Sequence, residues 1–567
     1  MAGNVAIGIQ DFSQLREGHY FYIDKSLFIK EWWESGDSAT LITRPRRFGK
    51  TLNMSMVEQF FSVDYAGRGD LFEGLAIWTE EKYRNLQGTY PVISLSFASI
   101  KETDYVTTRE KICQILRNLY IKHSYLRDSA VLTDADRIFY EQMLAPDTRE
   151  SVITTAIYQL SDYLHRYYGK KVIILLDEYD TPMQEAYVHG FWEQLVSFTR
   201  SLFNSTFKTN SCMERGIMTG ITRVSKESIF SDLNNLKVVT TTSNEYATAF
   251  GFTEKEVFAA MEIYGLDTEK EEVKRWYDGF ILGEQKDIYN PWSVLNYLDT
   301  GKLETYWANT SSNSLVGKLI REGDEEIKQA FEGLLKGEHL RCPIDEQIVY
   351  EQLDNNEAAI WSLLLASGYL KVLDYEKGNE VEYGVEPLYE LIFTNYEVEQ
   401  MFRKIIREWF APARTAYNHF VKALMIGDVK AMNAYLNKVS LQIFSYFDTG
   451  KGPMGPEPER FYHGFVLGLL VELQGKYVIT SNRESGFGRY DVMLEPNDKS
   501  RDAMILEFKI HDPEDEANLE NTVGAALRQI EEKQYETALA AKGIPREHIR
   551  KYGFAFEGKK VLVGTGE

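Results

Sequence analysis

A Gly-Lys-Thr tripeptide, Gly49 to Thr51, lies between a short apolar stretch that ends at Thr43 and a segment with helical periodicity. At a strand-to-helix junction, such a tripeptide directs backbone N–H groups and a lysine at the β- and γ-phosphates of a nucleotide, and leaves the threonine hydroxyl for Mg²⁺. The general pattern has a glycine where this sequence has Arg44, so the match is partial. Taken alone, the tripeptide favours an ordinary turn.

An acidic segment further along the chain supplies the second half of such a site. Residues 171–180 read KVIILLDEYD, an apolar run typical of a buried central strand that ends in carboxylates. Asp177 is suited to hold Mg²⁺, and Glu178 to activate an attacking water. An acidic turn after a buried strand is common, but the two segments together, in this order, predict nucleotide binding.

Two arginines, Arg46 and Arg47, precede the tripeptide and have two interpretations. They either add fixed positive charge over the nucleotide phosphates or pack structurally against acidic neighbours. We favour phosphate contact.

A second group of charged residues lies near the C-terminus. Glu507 and Lys509 are two residues apart in an apolar, strand-like run, so they share one face, and a hairpin would bring Asp491 beside Glu507. Two carboxylates at that distance form a hard-oxygen site for Mg²⁺ or Mn²⁺, and the lysine would position a water or stabilise developing charge. The alternative is an ordinary solvated face, but unpaired charge in so apolar a run is costly.

The elements that must position these residues follow from the apolar pattern. The first 245 residues alternate strand-like runs with helical periodicity, which predicts a parallel α/β sheet. The predicted strands are Ala39–Thr43, Pro91–Phe97, Lys171–Leu176, Gly216–Gly220 and Leu236–Thr241. The predicted helices include Thr51–Phe61, Val106–His123 and Ser151–Tyr168.

The rest of the chain divides by composition. Thr253 and Glu256 form a capping-box signal that opens a helical region, and a later helical region contains a short hairpin, Tyr369–Asp374 with Glu380–Val385. The C-terminal part reads as a helix, three strands, a helix and a strand. We therefore predict a sheet domain over 1–250, a helical lid over 251–325, a mostly helical middle region over 326–447, a Pro/Gly-rich linker over 448–460, and an α/β domain over 461–567.

Composition limits the classes of function. The 567 residues carry a formal charge of −22, with 44% apolar and 26% charged residues, which excludes a disordered chain and argues against non-specific coating of nucleic acid. Residues 455–567 hold 15 basic against 20 acidic residues, so even this part is not basic. Three scattered cysteines, no signal peptide and no long apolar run predict a cytoplasmic protein without a membrane partner.

Several segments together resemble the AAA-ATPase-like family of bacterial and archaeal proteins: GIQDFSQLREGHYFYIDKSLFI, TRPRRFGKTLNMSMVEQFF, VIILLDEYDTP, GITRVSKESIFSDLNNL, WYDGF and IYNPWSVLNYL. In that family RPRRFGK is the usual form of the loop. The resemblance implies an AAA-type P-loop ATPase with a helical lid, in which ATP and Mg²⁺ are bound by the GKT loop and Asp177, and Glu178 is the catalytic base. It further implies Thr219 as a sensor of the γ-phosphate, and Arg223 either as a charge stabiliser or as an ordinary surface arginine.

The C-terminal segments resemble the PD-(D/E)XK nuclease superfamily: FYHGFVLGLL, SNRESGFGRYDVMLEP, AMILEFK, ALRQIEEKQY and YGFAFEGKKV. The resemblance implies Asp491 and Glu507 as metal ligands, Lys509 as the catalytic lysine and Glu459 as an additional acidic ligand. Tyr490 stands where the namesake motif has proline, a frequent departure.

These observations lead to one expectation and two alternatives. We expect an ATPase whose nucleotide state gates a metal-dependent nuclease, with DNA favoured over RNA and a role in defence or mobile-element biology by analogy. The first alternative is a nucleotide-dependent switch or scaffold whose nuclease-like domain binds without cutting; the second is an ATPase without a nucleic-acid partner. AAA-type relatives often form rings, so a homo-oligomer is a further expectation that the sequence does not specify.

Overall fold

The computed structural model describes residues 3–223, 230, 233–309, 314–323, 325–345, 353, 357–375, 387–447, 458–484, 489–513 and 515–566. The chain forms two compact units. The first comprises Met1–Ser311 with Arg341–Val398, and the second Ser312–Leu340 with Glu399–Glu567. The α/β class predicted from the sequence is confirmed. The predicted linker falls largely on residues 448–457, outside the described residues.

The first unit is built on a five-stranded sheet in the order β2-β3-β4-β1-β5, in which every pair of neighbours is parallel. Every residue of the third strand is buried, which is why it reads as an unbroken apolar run. Each of the five predicted strands is present. They are β1 (Ala39–Thr43), β2 (Val92–Ser96), β3 (Val172–Asp177), β4 (Met213–Gly220) and β5 (Leu236–Val239).

Helices accompany this sheet, and their buried residues face the core. The predicted helix Ser151–Tyr168 is interrupted, because the hydroxyls of Thr154 and Thr155 donate to the carbonyls of Glu150 and Ser151. The helices are α1 (Phe12–Glu17), α2 (Leu27–Ser35), α3 (Lys50–Phe61), α4 (Glu81–Arg84), α5 (Tyr105–Lys122), α6 (Asp134–Leu144), α7 (Glu150–Ile153), α8 (Ala156–Tyr168), α9 (Thr181–His189) and α10 (Trp192–Phe203).

The lid region is helical, as expected, and contains short strands as well. A three-stranded sheet in the order β6-β8-β7 is formed by β6 (Phe252–Thr253), β7 (Phe280–Leu282) and β8 (Gln285–Tyr289). Gly283, with φ +58°, provides the tight turn between β7 and β8 that the helical pattern concealed. The capping box of Thr253 and Glu256 is confirmed. The helices are α11 (Glu254–Tyr264), α12 (Lys270–Tyr277) and α13 (Pro291–Thr300).

The elements that follow include a second three-stranded sheet, in the order β10-β11-β9. The first strand of the predicted hairpin is present and pairs with Leu388–Phe393. Its predicted partner, Glu380–Val385, lies outside the described residues. The strands are β9 (Leu340–Pro343), β10 (Leu370–Tyr375) and β11 (Leu388–Phe393). The helices are α14 (Ser314–Glu322), α15 (Glu325–Lys336), α16 (Glu357–Ala366), α17 (Tyr396–Trp409), α18 (Arg414–Ile426) and α19 (Val429–Phe447).

The C-terminal part contains a mixed five-stranded sheet in sequence order, β12 to β16. Only the β14–β15 pair is parallel, and α21 provides its crossover. The predicted order is confirmed, with one more helix and one more strand. The elements are α20 (Pro458–Glu472), β12 (Tyr477–Glu484), β13 (Arg489–Pro496), β14 (Ala503–Ile510), α21 (Leu519–Glu532), α22 (Tyr535–Ala541), β15 (Ile549–Glu557) and β16 (Lys560–Thr565). Among the described residues, no helix combines the length and apolar character that crossing a bilayer requires.

Candidate nucleotide and metal sites

The GKT loop, residues 44–51, runs from the carboxyl end of β1 into the N-terminus of α3. Gly49 is the residue before the helix and has φ +81°, a left-handed conformation that favours glycine. The first N–H groups of a helix have no acceptor within the helix, and they carry a partial positive charge. The sequence therefore builds an anion-binding terminus at this edge of the parallel sheet.

Lys50, the first residue of α3, is 5% exposed and turned back into its own loop. Its Nζ donates to the carbonyl oxygens of Arg44 at 2.8 Å and Pro45 at 2.9 Å. Burial lowers the pKa of this ammonium, and the neighbouring carboxylates, chiefly Glu178, oppose that effect. The lysine is thus held by carbonyl groups of its own loop, close to several carboxylates.

Asp177, at the end of β3, receives hydroxyl donors from two different elements. Thr51 Oγ1 donates to Asp177 Oδ2 at 2.7 Å, and Thr219 Oγ1, from β4, donates to Asp177 Oδ1. Burial raises the pKa of the Asp177 carboxyl, while the hydrogen bonds from Thr219 and Thr51 work in the opposite direction. The tertiary structure therefore brings three residues singled out in the sequence into direct contact.

Glu178 follows in a constrained backbone conformation, with φ +51°. Its N–H donates to Thr219 Oγ1 at 3.3 Å, and its Oε2 accepts from Thr181 Oγ1 at 3.1 Å. A non-glycine residue with positive φ is strained, and such strain is concentrated at functional positions. The conformation directs a half-buried carboxylate away from the strand axis, next to Thr219.

Asp180 belongs to the same site and was missed by the sequence reasoning. It is buried, and its Oδ2 accepts from the backbone N–H groups of Ile221 and Thr222, both at 2.9 Å. A Cβ at Gly220 would lie 2.9 Å from Asp180 Oδ1, so only glycine lets the turn after β3 approach β4 so closely. Two features of the sequence could have indicated this contact: the third carboxylate of DEYD, which is Asp180, and the glycine of TGIT, which is Gly220.

In the structure, the contacts of the loop arginines are with side chains and carbonyl groups other than the acidic neighbours that the sequence suggested. Arg46 donates to Gln184 Oε1 at 3.0 Å, and the guanidinium of Arg47 lies over the indole of Trp292 at 4.3 Å from its centroid. Arg44 is fully buried and donates to carbonyl oxygens, including that of Glu245 at 3.0 Å, so its guanidinium group supports the structure of the loop.

Arg223 directly follows Thr222, is half-buried, and borders residues 224–229, which lie outside the described residues. Its role as a charge stabiliser stays a prediction.

The lid region contacts the GKT loop at further points besides the stacking of Arg47 on Trp292. Asn290 Nδ2 donates to the carbonyl of Arg46 at 3.3 Å, and Gly251 N donates to the carbonyl of Phe48 at 3.3 Å. The rings of Phe48 and Phe280 meet edge to face, with centroids 4.8 Å apart. In the sequence, the IYNPW and WYDGF segments indicated only a resemblance to a family. In the structure, a side chain from each of them, Asn290 and Phe280, supports the loop.

The C-terminal candidate residues meet in the register of β13 and β14. Asp491 is paired directly with Glu507, and Arg489 with Lys509. Glu507 is fully buried and Lys509 is half-buried. The next strand has Gly553 opposite Glu507, where a Cβ would lie 2.9 Å from the carbonyl of Val523 on α21. The missing side chain thus lets α21 cover the sheet beside the buried carboxylate.

Two expectations extend to residues whose side chains are outside the described part of the chain. They are Asp491, for which the register alone is described, and Glu459. Glu459 was expected just ahead of the first helix, but it lies within α20, which begins at Pro458 and so starts earlier than the apolar periodicity indicated.

The fold and the two sites define a P-loop, ATPase-like module followed by a nuclease-like module. Comparison with protein families agrees with both. Residues 6–230 match the AAA-ATPase-like family, described as predicted AAA-ATPase, and residues 457–566 match the PD-(D/E)XK nuclease superfamily. The fusion expected from the sequence motifs is confirmed.

Similarity to one relative extends over nearly the whole chain. The chain is 24% identical, over 98% of its own length and 97% of the relative's, to a protein of Azotobacter chroococcum mcd 1 described as an uncharacterized protein in the vnfD 5′ region.

Proposed function

We propose that the protein hydrolyses ATP at the GKT loop and cleaves DNA at the Asp491–Glu507 pair, with the nucleotide state gating cleavage. The observation that carries the first part is the contact of Thr51 and Thr219 with Asp177. A hydroxyl and a carboxylate side by side at the end of a phosphate-binding helix are the ligands that a nucleotide-bound Mg²⁺ prefers.

Each residue of the first site has a distinct task in this proposal. Lys50 leaves its two carbonyl partners for the nucleotide phosphates, and Thr51 with Asp177 holds the metal ion. Glu178 takes the proton of the attacking water, and Thr219 keeps the two carboxylates apart and oriented. Mg²⁺ supplies neutralisation of the charge on the phosphates.

The arginines have a positioning task. Trp292 stacks on the guanidinium group of Arg47, and Gln184 accepts a hydrogen bond from that of Arg46. These neighbours orient both guanidinium groups. Phosphate contact by both arginines, and charge stabilisation by Arg223, remain part of the proposal. Fixed guanidinium groups cost less ordering entropy when an anion arrives than free ones do.

The second site would act on a phosphodiester. Asp491 and Glu507 would hold Mg²⁺ or Mn²⁺, Glu459 would add a further carboxylate, and Lys509 would orient the attacking water or stabilise charge on the phosphate. The support is the pairing of the two acidic positions in the sheet and the complete burial of Glu507. A metal ion is one of the few partners that make so buried a carboxylate favourable.

The acidic character of the chain shapes the rest of the proposal. With a charge of −22, the protein would hold DNA through a few local cations, so binding should weaken steeply as salt increases. A cytoplasmic location, assembly into homo-oligomers and a role in defence against foreign DNA complete the proposal.

The test combines two assays on purified full-length protein. ATP hydrolysis and cleavage of plasmid DNA, single-stranded DNA and RNA are measured with Mg²⁺ or Mn²⁺, with and without ATP. We expect Lys50→Ala and Glu178→Gln to abolish hydrolysis and reduce cleavage, and Lys509→Ala to abolish cleavage while hydrolysis persists.

Matched variants identify non-specific effects. Lys111→Ala, Glu193→Gln and Lys560→Ala change exposed residues of the same types in the same two modules and should behave as wild type. Equal cleavage by wild type and Lys509→Ala would refute the nuclease and leave a nucleotide-dependent binding protein. Cleavage lost in Lys509→Ala but untouched in Lys50→Ala would refute the gating.

A further inference from the structure

Three carboxylates of the lid region converge at a place that neither proposed reaction uses. Glu254 begins α11, Asp278 follows α12, and Asp287 lies in β8. One oxygen atom of each lies within 4.8 Å of an oxygen of the other two. We call these residues the carboxylate triad.

Asp278 is the buried member of the triad and has an unused oxygen. The residue is 8% exposed, and within the described part of the chain its Oδ1 has no hydrogen-bond partner. A buried acceptor without a donor costs the folded protein free energy, so the oxygen indicates a ligand at this position. Burial, with a contribution from Asp287, raises the pKa of Asp278 to about 7.

The cations nearby compensate the triad only in part. Lys274 Nζ lies 2.5 Å from Glu254 Oε2 and 3.4 Å from Asp287 Oδ1. Lys371, whose pKa is lowered by burial and raised by Asp278 and Asp287, is the second ammonium group close to the triad. With Asp278 ionised, the three carboxylates outnumber these two ammonium groups. Lys274 contacts the two outer members, while Oδ1 of Asp278 has no hydrogen-bond partner among the described residues.

We propose that the carboxylate triad binds a hard divalent cation, of the class of Mn²⁺, Mg²⁺ or Ca²⁺. All three donors are carboxylate oxygens, and Asp287 is 49% exposed in its side chain, which gives the ion a route from solvent. Asp287 also has φ +56°, a conformation that is strained for a residue other than glycine. Lys274, 38% exposed, can swing into water when the ion enters.

The triad residues are close in sequence to residues that contact the GKT loop, so a bound cation would affect that loop. Asp278 is two residues before Phe280, Asp287 three before Asn290, and Glu254 three after Gly251. Each of those three residues contacts the GKT loop. An ion that ties the triad together therefore steadies these three contacts at once. Binding of the ion itself does not depend on the proposed reactions.

The test is a count of bound Mn²⁺ on the full-length protein, by electron paramagnetic resonance of the free ion. The variants are Asp278→Asn and, as the matched control, Asp267→Asn, an exposed aspartate of the same region. We expect Asp278→Asn to bind one Mn²⁺ fewer per chain than wild type, or to bind that ion at least tenfold more weakly, and Asp267→Asn to match wild type.

A second variant covers failure of the first to fold. Asp287→Asn changes the more exposed ligand, and asparagine tolerates the positive φ of this position. It should show the same loss of one ion while its circular dichroism matches wild type. Equal numbers and affinities of Mn²⁺ sites in wild type, Asp278→Asn and Asp287→Asn would overturn the proposal, whatever the ATPase and nuclease assays give.

Discussion

Replacement of Thr219 by valine tests whether Asp177 acts through its ionised form. The side chain keeps nearly the same shape but loses the hydroxyl that donates to Asp177 Oδ1 and accepts from the N–H of Glu178. Burial raises the pKa of Asp177, and the Thr219 and Thr51 hydroxyls oppose that effect. Without the Thr219 donor, the pKa of Asp177 must therefore rise further.

The size of the effect follows from the kind of hydrogen bond that is lost. A hydrogen bond to a charged group contributes about 1.5–3 kcal/mol. At about 1.4 kcal/mol per factor of ten, the ratio of ionised to protonated Asp177 falls roughly 10- to 150-fold at any given pH. Binding of Mg²⁺ with nucleotide should fall by the same factor on the acid side, where Asp177 is protonated, and should recover as the pH rises.

The assay is the affinity for a non-hydrolysable ATP analogue with Mg²⁺, measured by calorimetry across the pH range in which the protein stays folded. Thr40→Val is the matched control, because Thr40 is buried in the adjacent strand and its hydroxyl has no partner among the described residues. It should bind as wild type at every pH. The reasoning is refuted if Thr219→Val binds as tightly as wild type on the acid side, or if both threonine variants lose affinity equally.

Three further predictions concern other parts of the chain. Burial raises the pKa of Glu397 from 4.5 to about 7, so the folded state binds this proton more tightly than the unfolded chain does. Glu397 should therefore lower the free energy of unfolding by about 3 kcal/mol as the pH rises from 4.5 through 7, and Glu397→Gln should remove this share of the slope in denaturation curves. Trp292→Leu removes the ring under Arg47, and since such a contact contributes about 0.5–2 kcal/mol, nucleotide affinity should fall about 2- to 30-fold in calorimetry. Gly553→Ala forces a Cβ to 2.9 Å from the carbonyl of Val523, and urea denaturation should show about 1–3 kcal/mol of lost stability.

Each of these predictions has a control and a contrary result. For Glu397, the pH slope must become shallower in the glutamine variant; an unchanged slope contradicts the assignment. For Trp292, Trp276→Leu is the comparison, since that indole packs on Tyr396, and equal losses would mean a general effect of the substitution. For Gly553, Gly524→Ala lies in α21 with ordinary contacts and should stabilise by about 0.5–1 kcal/mol; a stable Gly553→Ala would show that α21 can move.

Local patterns in the sequence were sufficient for the parallel sheet and for most of its helices. The five strands of the first sheet were predictable because each reads as a short, largely apolar run between polar turns, most clearly β1 and β3, in which every residue is buried. The small lid sheet was not predictable, because its strands are two to five residues long and lie among helices with strong periodicity. The pairing of β10 with Leu388–Phe393 was not predicted for a related reason, since pairing is decided by register and not by local pattern.

The sequence by itself determined which residue types could do the chemistry and in which order they come. The GKT loop, Asp177, Glu178, Asp491, Glu507 and Lys509 all follow from local spacing and from the resemblance to known families. What it could not determine is which of them touch, because residues distant in the chain meet only where strands become neighbours. β4 lies between β1 and β3, and so it is Thr219 that reaches Asp177.

The tertiary structure alone also decided the roles of residues without a motif of their own. Asp180 and Trp292 lie within the DEYD and IYNPW segments, but no local pattern assigns them their contacts, and the carboxylate triad draws its three members from segments up to 33 positions apart. Burial and contact depend on the packing of whole elements, which no local pattern encodes. The sequence fixes the donors and acceptors, and packing decides which of them share a site.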